Sequence, residues 1–336
     1  MRHILRTLAA IAALTAAALS LAAAVQPVPL SLVSTAWPPF TNAPGQPRFA
    51  LDLVETALGR VQIAATTTIV AAAQFTPSLL AGKFDGSAAA WKDPARERAL
   101  LFSQPYLENR LVLVGRTGAD VSAASLAALK GKRVAIVEGY SYGDAIDSGG
   151  PVWVRGRSEE DSLAELLKGG VDYTLMDELV VNYIVSNHPK EAGARLQIGK
   201  TALVTRELYL AISRSRADAQ SIVTRFNAQL RGMIADRTYH RLLHVDWIRA
   251  DVNGDGIPEY VPANDTPGPS APQRSYTLFT APAAGSGPPS ATSTDGFYVG
   301  GNIYRDWTNV PDVYKTINPN QPDARRSTAS LFKFSW

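Results

Sequence analysis

The order of secondary-structure signals along the first 250 residues constrains this chain more than any other feature. PVPLSLVSTAWPPF opens as a strand that the prolines must stop, FALDLVETAL reads as a helix, and VQIAATTTIV as a second strand. FTPSLLAG follows as a short helix with Pro77 in its first turn, and FDGSAAAW as a third strand running into a helix at Asp93. Strand, helix, strand, helix is the order of a parallel α/β sheet. NRLVLVGR then leads away as extended chain, and a second unit of the same kind begins. It comprises SLAALKG as a helix, RVAIVEG as a strand, a glycine-bounded loop at 139–143 entering a helix, SEEDSLAELLKGG as a capped helix, VDYTLMD as a strand and ELVVNYIVSN as a helix. ALVTRELYLAIS returns as extended chain. The last helix of the body carries Ile222, Val223, Phe226, Leu230, Met233 and Ile234 on one side. A chain that builds one α/β unit, leaves it, builds another and comes back describes two lobes joined by two strand crossings.

Composition narrows the setting. With 46% hydrophobic and 19% charged residues among 336, the chain is an ordinary globular one, long enough for two cores. Residues 1–24 have the layout of a cleaved secretory signal: Arg2, His3 and Arg6, an apolar run from Leu8 to Leu21, then three alanines. Its loss near Ala24 would leave 31 basic against 30 acidic side chains, which gives no argument for nucleic acid. The sequence contains no cysteine, so no disulfide holds the fold and no lipid is attached through one. A soluble, monomeric protein of the periplasm or cell exterior is expected.

The expected divisions are the signal at 1–24, the first lobe at 25–110 and again at 206–250, and the second lobe at 111–205. From residue 263 to 296 the composition shifts to Pro, Ser, Thr, Ala and Gly, a linker by content. It leads to an aromatic-rich segment, 297–336, too short for a core of its own and therefore expected to pack on the body or on a partner. Phe332, Phe334 and Trp336 alternate there onto one strand face.

In open α/β sheets a ligand lies beyond the carboxyl ends of the strands. Standing at those ends are Trp37, Trp91 with Arg96 just beyond it, the loop with Ser141, and Asp177. Asp93 followed by Pro94 marks a helix start, so Arg96 and Arg98 fall where free N–H groups already gather, and a negative partner is called for. A bidentate guanidinium at such a junction suits a carboxylate. Arg98 reads as a surface residue. Asp177 could equally be the cap of the helix that follows it, and each tryptophan could equally be packed core.

These pieces resemble the family-3 extracellular solute-binding proteins, the periplasmic receptors of polar amino acid ABC transporters. The resemblance rests on WPPF, RFALDLV, PSLLAGKFD, DPARERALLFSQPY and LKGKRVAIVEGYSYG, in consistent order over roughly residues 30–247. It implies a two-lobed type 2 periplasmic binding fold with two hinge-strand crossings, here with a C-terminal extension, and a ligand between hinge-closing lobes. By the same resemblance Arg96 and Ser141 are expected to hold the ligand's α-carboxylate, Asp177 its α-ammonium, and Trp37 its side chain. The partners implied are an amino acid or related organic acid and an ABC permease. Trp91 departs from the family, occupying a position that is usually small.

Three other readings attach to the same residues. Gly139-Tyr140-Ser141-Tyr142-Gly143 is a literal G-x-S-x-G, and Asp177, His188, His240 and His244 follow in the chain order of a serine hydrolase. Relatives that share the fold include dehydratases, for which Glu138 or Glu178 would be the acid. Asp251, Asn253, Asp255 and Glu259, with Gly256 between the last two, alternate oxygens around a tight turn at 251–262, as structural calcium loops do, although Pro262 stands where an EF-hand has its bidentate glutamate. A metal-free Asx turn fits that loop as well.

Overall fold

The computed structural model describes residues 29–147, 150–272, 275–278 and 296–316. The proposed signal, most of the linker and the Phe332–Trp336 alternation lie outside them.

The first α/β unit is built by β1 (Leu30–Thr35), β2 (Ala65–Val70) and β3 (Gly86–Ala90), parallel in the order β2-β1-β3. Helix α1 (Phe49–Arg60) covers it because the residues spaced at helical period all turn inward; Phe49, Leu53, Val54, Ala57 and Leu58 are buried. Arg48, just before it, is tied down by Asp52 and Glu55. Helix α2 (Ala72–Leu80) begins earlier than the sequence suggests, so Pro77 lies inside it rather than in its first turn. Ala71 and Ala72 offer no side-chain cap, which is why the start was illegible. Helix α3 (Pro94–Ala99) starts where expected: Asp93 Oδ1 accepts the Arg96 backbone N–H at 2.8 Å.

The second unit holds β6 (Arg133–Val137), β7 (Val152–Gly156) and β8 (Tyr173–Asp177), parallel in the order β8-β6-β7. The β7 strand, VWVRG, carries no alternation strong enough to be read from sequence, and SLAALKG forms only a 3-10 turn at Leu126–Leu129. A short helix, α4 (Asp144–Asp147), follows the glycine-bounded loop. Helix α5 (Glu159–Lys168) is capped by Ser158, whose Oγ accepts from Asp161 N, and closed by Gly169 in the left-handed region. Helix α6 (Glu178–Asn187) follows Asp177 directly.

The two units are joined by β5 (Leu107–Arg116) and β9 (Leu196–Ser213), which run antiparallel to each other. β9 is one continuous strand, longer than the segment read from sequence. Its last residues pair with β3 and with the short β4 (Leu100–Phe102) in the first lobe, while β5 pairs with β8 in the second. The chain therefore crosses between lobes twice. Helix α7 (Ala219–Ala235) returns against the first lobe with its apolar face buried, and α8 (Thr238–Leu243) follows.

Beyond α8 the chain does not simply leave the body. β10 (Trp247–Ala250) and β11 (Glu259–Pro262) form a hairpin, joined by β12 (Tyr276–Thr277), β13 (Phe297–Val299) and β14 (Asn302–Tyr304) into a second sheet in the order β12-β10-β11-β13-β14. Trp307 packs edge-on against Trp247 and Phe297 at centroid distances of 5.8 and 5.3 Å. Buried Tyr276 donates its hydroxyl to the backbone carbonyl of Glu108, in the β5 crossing, at 3.0 Å.

Candidate functional site

The strand ends deliver their residues to one place. Trp37 follows β1, Trp91 follows β3, and both are 6% exposed. Their rings meet edge-on at 5.6 Å, and Phe40 stacks on Trp37 at 4.5 Å. From the other lobe comes the loop after β6. Gly139 and Gly143, both at positive φ, let it double back, and a Cβ on Gly143 would come within 2.7 Å of the Arg206 guanidinium. The loop brings Tyr140 against both tryptophans, 6.1 Å from Trp37 and 5.6 Å from Trp91, with Tyr142 beside it at 5.5 Å from Trp91.

Arg96 forms the floor. It is 3% exposed, gives Nη1 to the Trp91 carbonyl at 2.9 Å and Nη2 to Thr76 Oγ1 at 2.7 Å, and lies over the Phe75 ring at 5.2 Å. Asp93 Oδ2 stands 3.3 Å from its Nε, yet Nε completes no hydrogen bond of normal geometry. Burial, with Arg206 nearby, lowers the Arg96 pKa, and Asp93 opposes that. Burial also pushes the Asp93 carboxyl upward, but the bonds from Ser141 and the Arg96 N–H, with the Arg96 charge, outweigh it and hold Asp93 below its usual value.

Ser141 Oγ donates to Asp93 Oδ2 at 2.5 Å, and Arg96 Nη2 reaches the Gly139 carbonyl at 3.5 Å, so the lobes are tied across the cleft by their own side chains. What space is left measures about 40 Å³, bounded by Thr35, Trp37, Trp91, Arg96, Tyr140 and Ser141 among others. Small-molecule sites run to several hundred Å³, so this arrangement is closed on itself.

Asp177 is placed differently. Its Oδ1 caps α6 through Leu179 N at 2.7 Å and Val180 N at 3.3 Å, and its Oδ2 accepts from Asn109 Nδ2 and Arg110 N, both at 3.2 Å. Asn109 in turn accepts from Trp91 Nε1 at 2.7 Å. Asp177 thus stands behind a Trp91–Asn109 relay rather than on the cavity wall. Burial raises its pKa to about 7 against those hydrogen bonds.

Of the five residues expected at the site, the structure brings Trp37, Trp91, Arg96 and Ser141 together and sets Asp177 one layer back. Tyr140, Asn109 and Thr76 were not singled out from the sequence. Tyr140 could have been, since it lies inside the glycine-bounded loop; nothing in NRLVLVGR marks Asn109.

The 251–259 loop closes on its own backbone. Asp251 accepts from Gly254 N at 2.6 Å and Gly256 N at 2.9 Å, Asn253 from Asp255 N at 3.0 Å, Asp255 from Ile257 N at 2.7 Å, and Glu259 from Val252 N at 3.1 Å. Among the described residues no group of three His, Cys, Asp or Glu side chains is arranged to hold a metal ion.

Residues 31–249, about two thirds of the sequence, match the profile of the bacterial extracellular solute-binding proteins, family 3. The chain belongs to that family. An Escherichia coli protein assigned as ABC transporter arginine-binding protein 2 is 24% identical over 212 residues, 61% of this chain and 85% of its own. The family fold recurs in solved structures. The GluR0 ligand-binding core in complex with L-glutamate is 16% identical, covers 64% of this chain and 98% of its own, and superposes with a TM-score of 0.55. An arginine 3rd transport system periplasmic binding protein from Legionella pneumophila is 21% identical over 64% of this chain and 97% of its own, with a TM-score of 0.54. Holo ArgBP from T. maritima is 24% identical over 61% and 89%, with a TM-score of 0.51. This family-3 protein therefore has the two-lobed type 2 periplasmic binding architecture expected from its sequence, and four of the five described strands of its second sheet, β11 to β14, lie beyond the family match. No helix among the described residues is long and apolar enough to cross a membrane.

Proposed function

We propose that this family-3 protein captures a small carboxylate-bearing solute, an amino acid or a related organic acid, between its lobes in the periplasm and delivers it to an ABC permease. The observation that carries this reading is Arg96, a buried guanidinium on the cleft floor whose Nε makes no hydrogen bond of normal geometry while Asp93 and Ser141 stand beside it. A carboxylate entering there would replace Asp93 and the Gly139 carbonyl as the partner of Arg96 and would accept from Ser141. Trp37 and Trp91 would flank its body. Asp177, which keeps its helix capped through Oδ1, would meet an ammonium through Oδ2 once Trp91 and Asn109 shift. Tyr140 must leave first, because the remaining space is smaller than any such solute. Ligand affinity for the rearranged, filled cleft would then drive closure.

The hydrolase reading draws no support from the geometry. Ser141 is bonded to a carboxylate, and buried His240 bonds the Val261 carbonyl at 2.9 Å. Nor do Glu138 and Glu178 line the cavity described above; Glu178 pairs with Arg110 at 3.1 Å, both half-exposed. Calorimetry against a panel of amino acids and organic acids tests the proposal. A solute bound by the parent chain and not by Arg96→Ala supports it, and equal affinity in both overturns it.

A further inference from the structure

Trp37 has a second side. Beyond it lies a cavity of about 340 Å³, walled by Trp37 and Pro38 from the first lobe, Leu163 and Leu167 of α5, and Val180 and Ile184 of α6. The wall is mainly apolar. Its acidic members are Glu159, Glu160 and Glu191, and it includes His188 but neither lysine nor arginine.

Glu159 is the anomaly. It is 8% exposed, and its Oε2 has no hydrogen-bond partner. The Trp37 indole lies near enough to lower the Glu159 pKa, but Trp37 Nε1 completes no hydrogen bond of normal geometry either. The groups that act on Glu159 are Asp177 at the head of α6, Glu160 on its own helix, and the Tyr140 and Tyr142 hydroxyls of the glycine-bounded loop. None of them is a cation. A carboxylate buried in apolar surroundings is costly when ionised unless a positive charge meets it. Its place at the first residue of α5, where N–H groups converge, offsets only part of that cost.

We infer that this pocket binds an organic cation with an apolar body, an ammonium or guanidinium set against Glu159 and a hydrocarbon or ring set against Trp37, Leu163, Val180 and Ile184. A guest there touches Trp37 and Pro38 of one lobe and α5 and α6 of the other, so it bridges the cleft without occupying the space above Arg96. The site is independent of what Arg96 binds.

A consequence distinguishes this site from an apolar hole that happens to contain a carboxyl. Burial, reinforced by Asp177 and Glu160, raises Glu159 to about 8, so at neutral pH the empty pocket holds a proton. The bound cation requires the carboxylate, and binding expels that proton. Affinity should therefore rise with pH, by about tenfold per unit at the steepest, and level off above about pH 8.

The test is isothermal titration of the full chain with phenethylamine, hexylamine and tetramethylammonium chlorides, with 2-phenylethanol as the neutral counterpart. The expected result is one-to-one binding of at least one cation, about tenfold or more tighter than the alcohol. Its heat should vary with the ionisation enthalpy of the buffer as release of about one proton requires. Glu159→Gln should weaken cation binding about tenfold or more and abolish the buffer dependence. Ala164→Leu, which fills the pocket from an α5 position on its wall, should block the cation and serves if Glu159→Gln fails to fold. Absence of binding by all three cations, equal binding of the alcohol, or unchanged affinity in a folded Glu159→Gln or Ala164→Leu chain overturns the inference.

Discussion

Trp37 borders two opposite kinds of space. On one side a buried cation, Arg96, is held by the Trp91 carbonyl, Thr76 and Asp93, and aromatic rings leave about 40 Å³. On the other a buried carboxyl, Glu159, has an oxygen without a partner beside about 340 Å³ of mainly apolar space. In the first region the buried charge has an ion-pair partner, although Arg96 Nε makes no hydrogen bond of normal geometry, and the volume is filled; in the second a carboxyl oxygen has no partner and the volume is open. A site that has supplied its own substitutes for a ligand must rearrange throughout to receive one, whereas a site with room beside a buried carboxyl needs only that side chain to turn.

Removing Arg96 should have the largest effect. Arg96→Ala is expected to cost about 2 to 5 kcal/mol of carboxylate binding, read by calorimetry, because it strips one partner from a buried charge pair. A loss much smaller than this would make the two spaces beside Trp37 equivalent as far as carboxylates are concerned. Tyr140→Ala comes next: it should lower unfolding free energy in urea by about 3 kcal/mol while tightening carboxylate binding, since it deletes a packed ring that stands in the cleft. If affinity falls instead, Tyr140 is a ligand contact and not a plug.

The pH dependence of stability sharpens the other side. Glu159 holds its proton up to about pH 8 when folded, against 4.5 for an ordinary glutamate. Between those values the folded state binds the proton more tightly, so this group lowers stability as pH rises, by roughly 5 kcal/mol at most. Glu159→Gln should flatten most of that fall in urea melts from pH 5 to 9, with a residue left by Asp177, which is raised in the same sense. The smallest effect is expected in the 251–259 loop, whose oxygens are bonded to their own backbone. There calcium or a chelator should shift the melting temperature by no more than about 1 °C.

Much of this contrast was legible in the sequence on one side only. Asp93-Pro94 announced a helix start, and the family resemblance of DPARERALLFSQPY singled out Arg96, which is buried, over Arg98, which is exposed. Local signals of that kind survive folding because caps and turns are made by neighbours in the chain. Glu159 announced nothing. In SEEDSLAELLKGG it is one of three acids in the first turn of a capped helix, and helix starts are acidic for their own reasons. Only the approach of Trp37, Asp177 and Tyr140 from distant segments turns that one acid inward. The same limit explains Asp177: a cap and a ligand acid have the same sequence signature, and the Asn109–Trp91 relay in front of it depends on pairing between β5 and β8. The β7 strand and the second sheet were missed because their residues follow neither a clear two-residue nor a clear helical period.

The hydroxyl of Tyr276 grips the Glu108 carbonyl in one of the two strands that join the lobes. An anchor set near a pivot travels little when the arms swing. The C-terminal sheet can therefore ride through opening and closing with this bond intact, like a handle fixed at the rivet of a pair of shears.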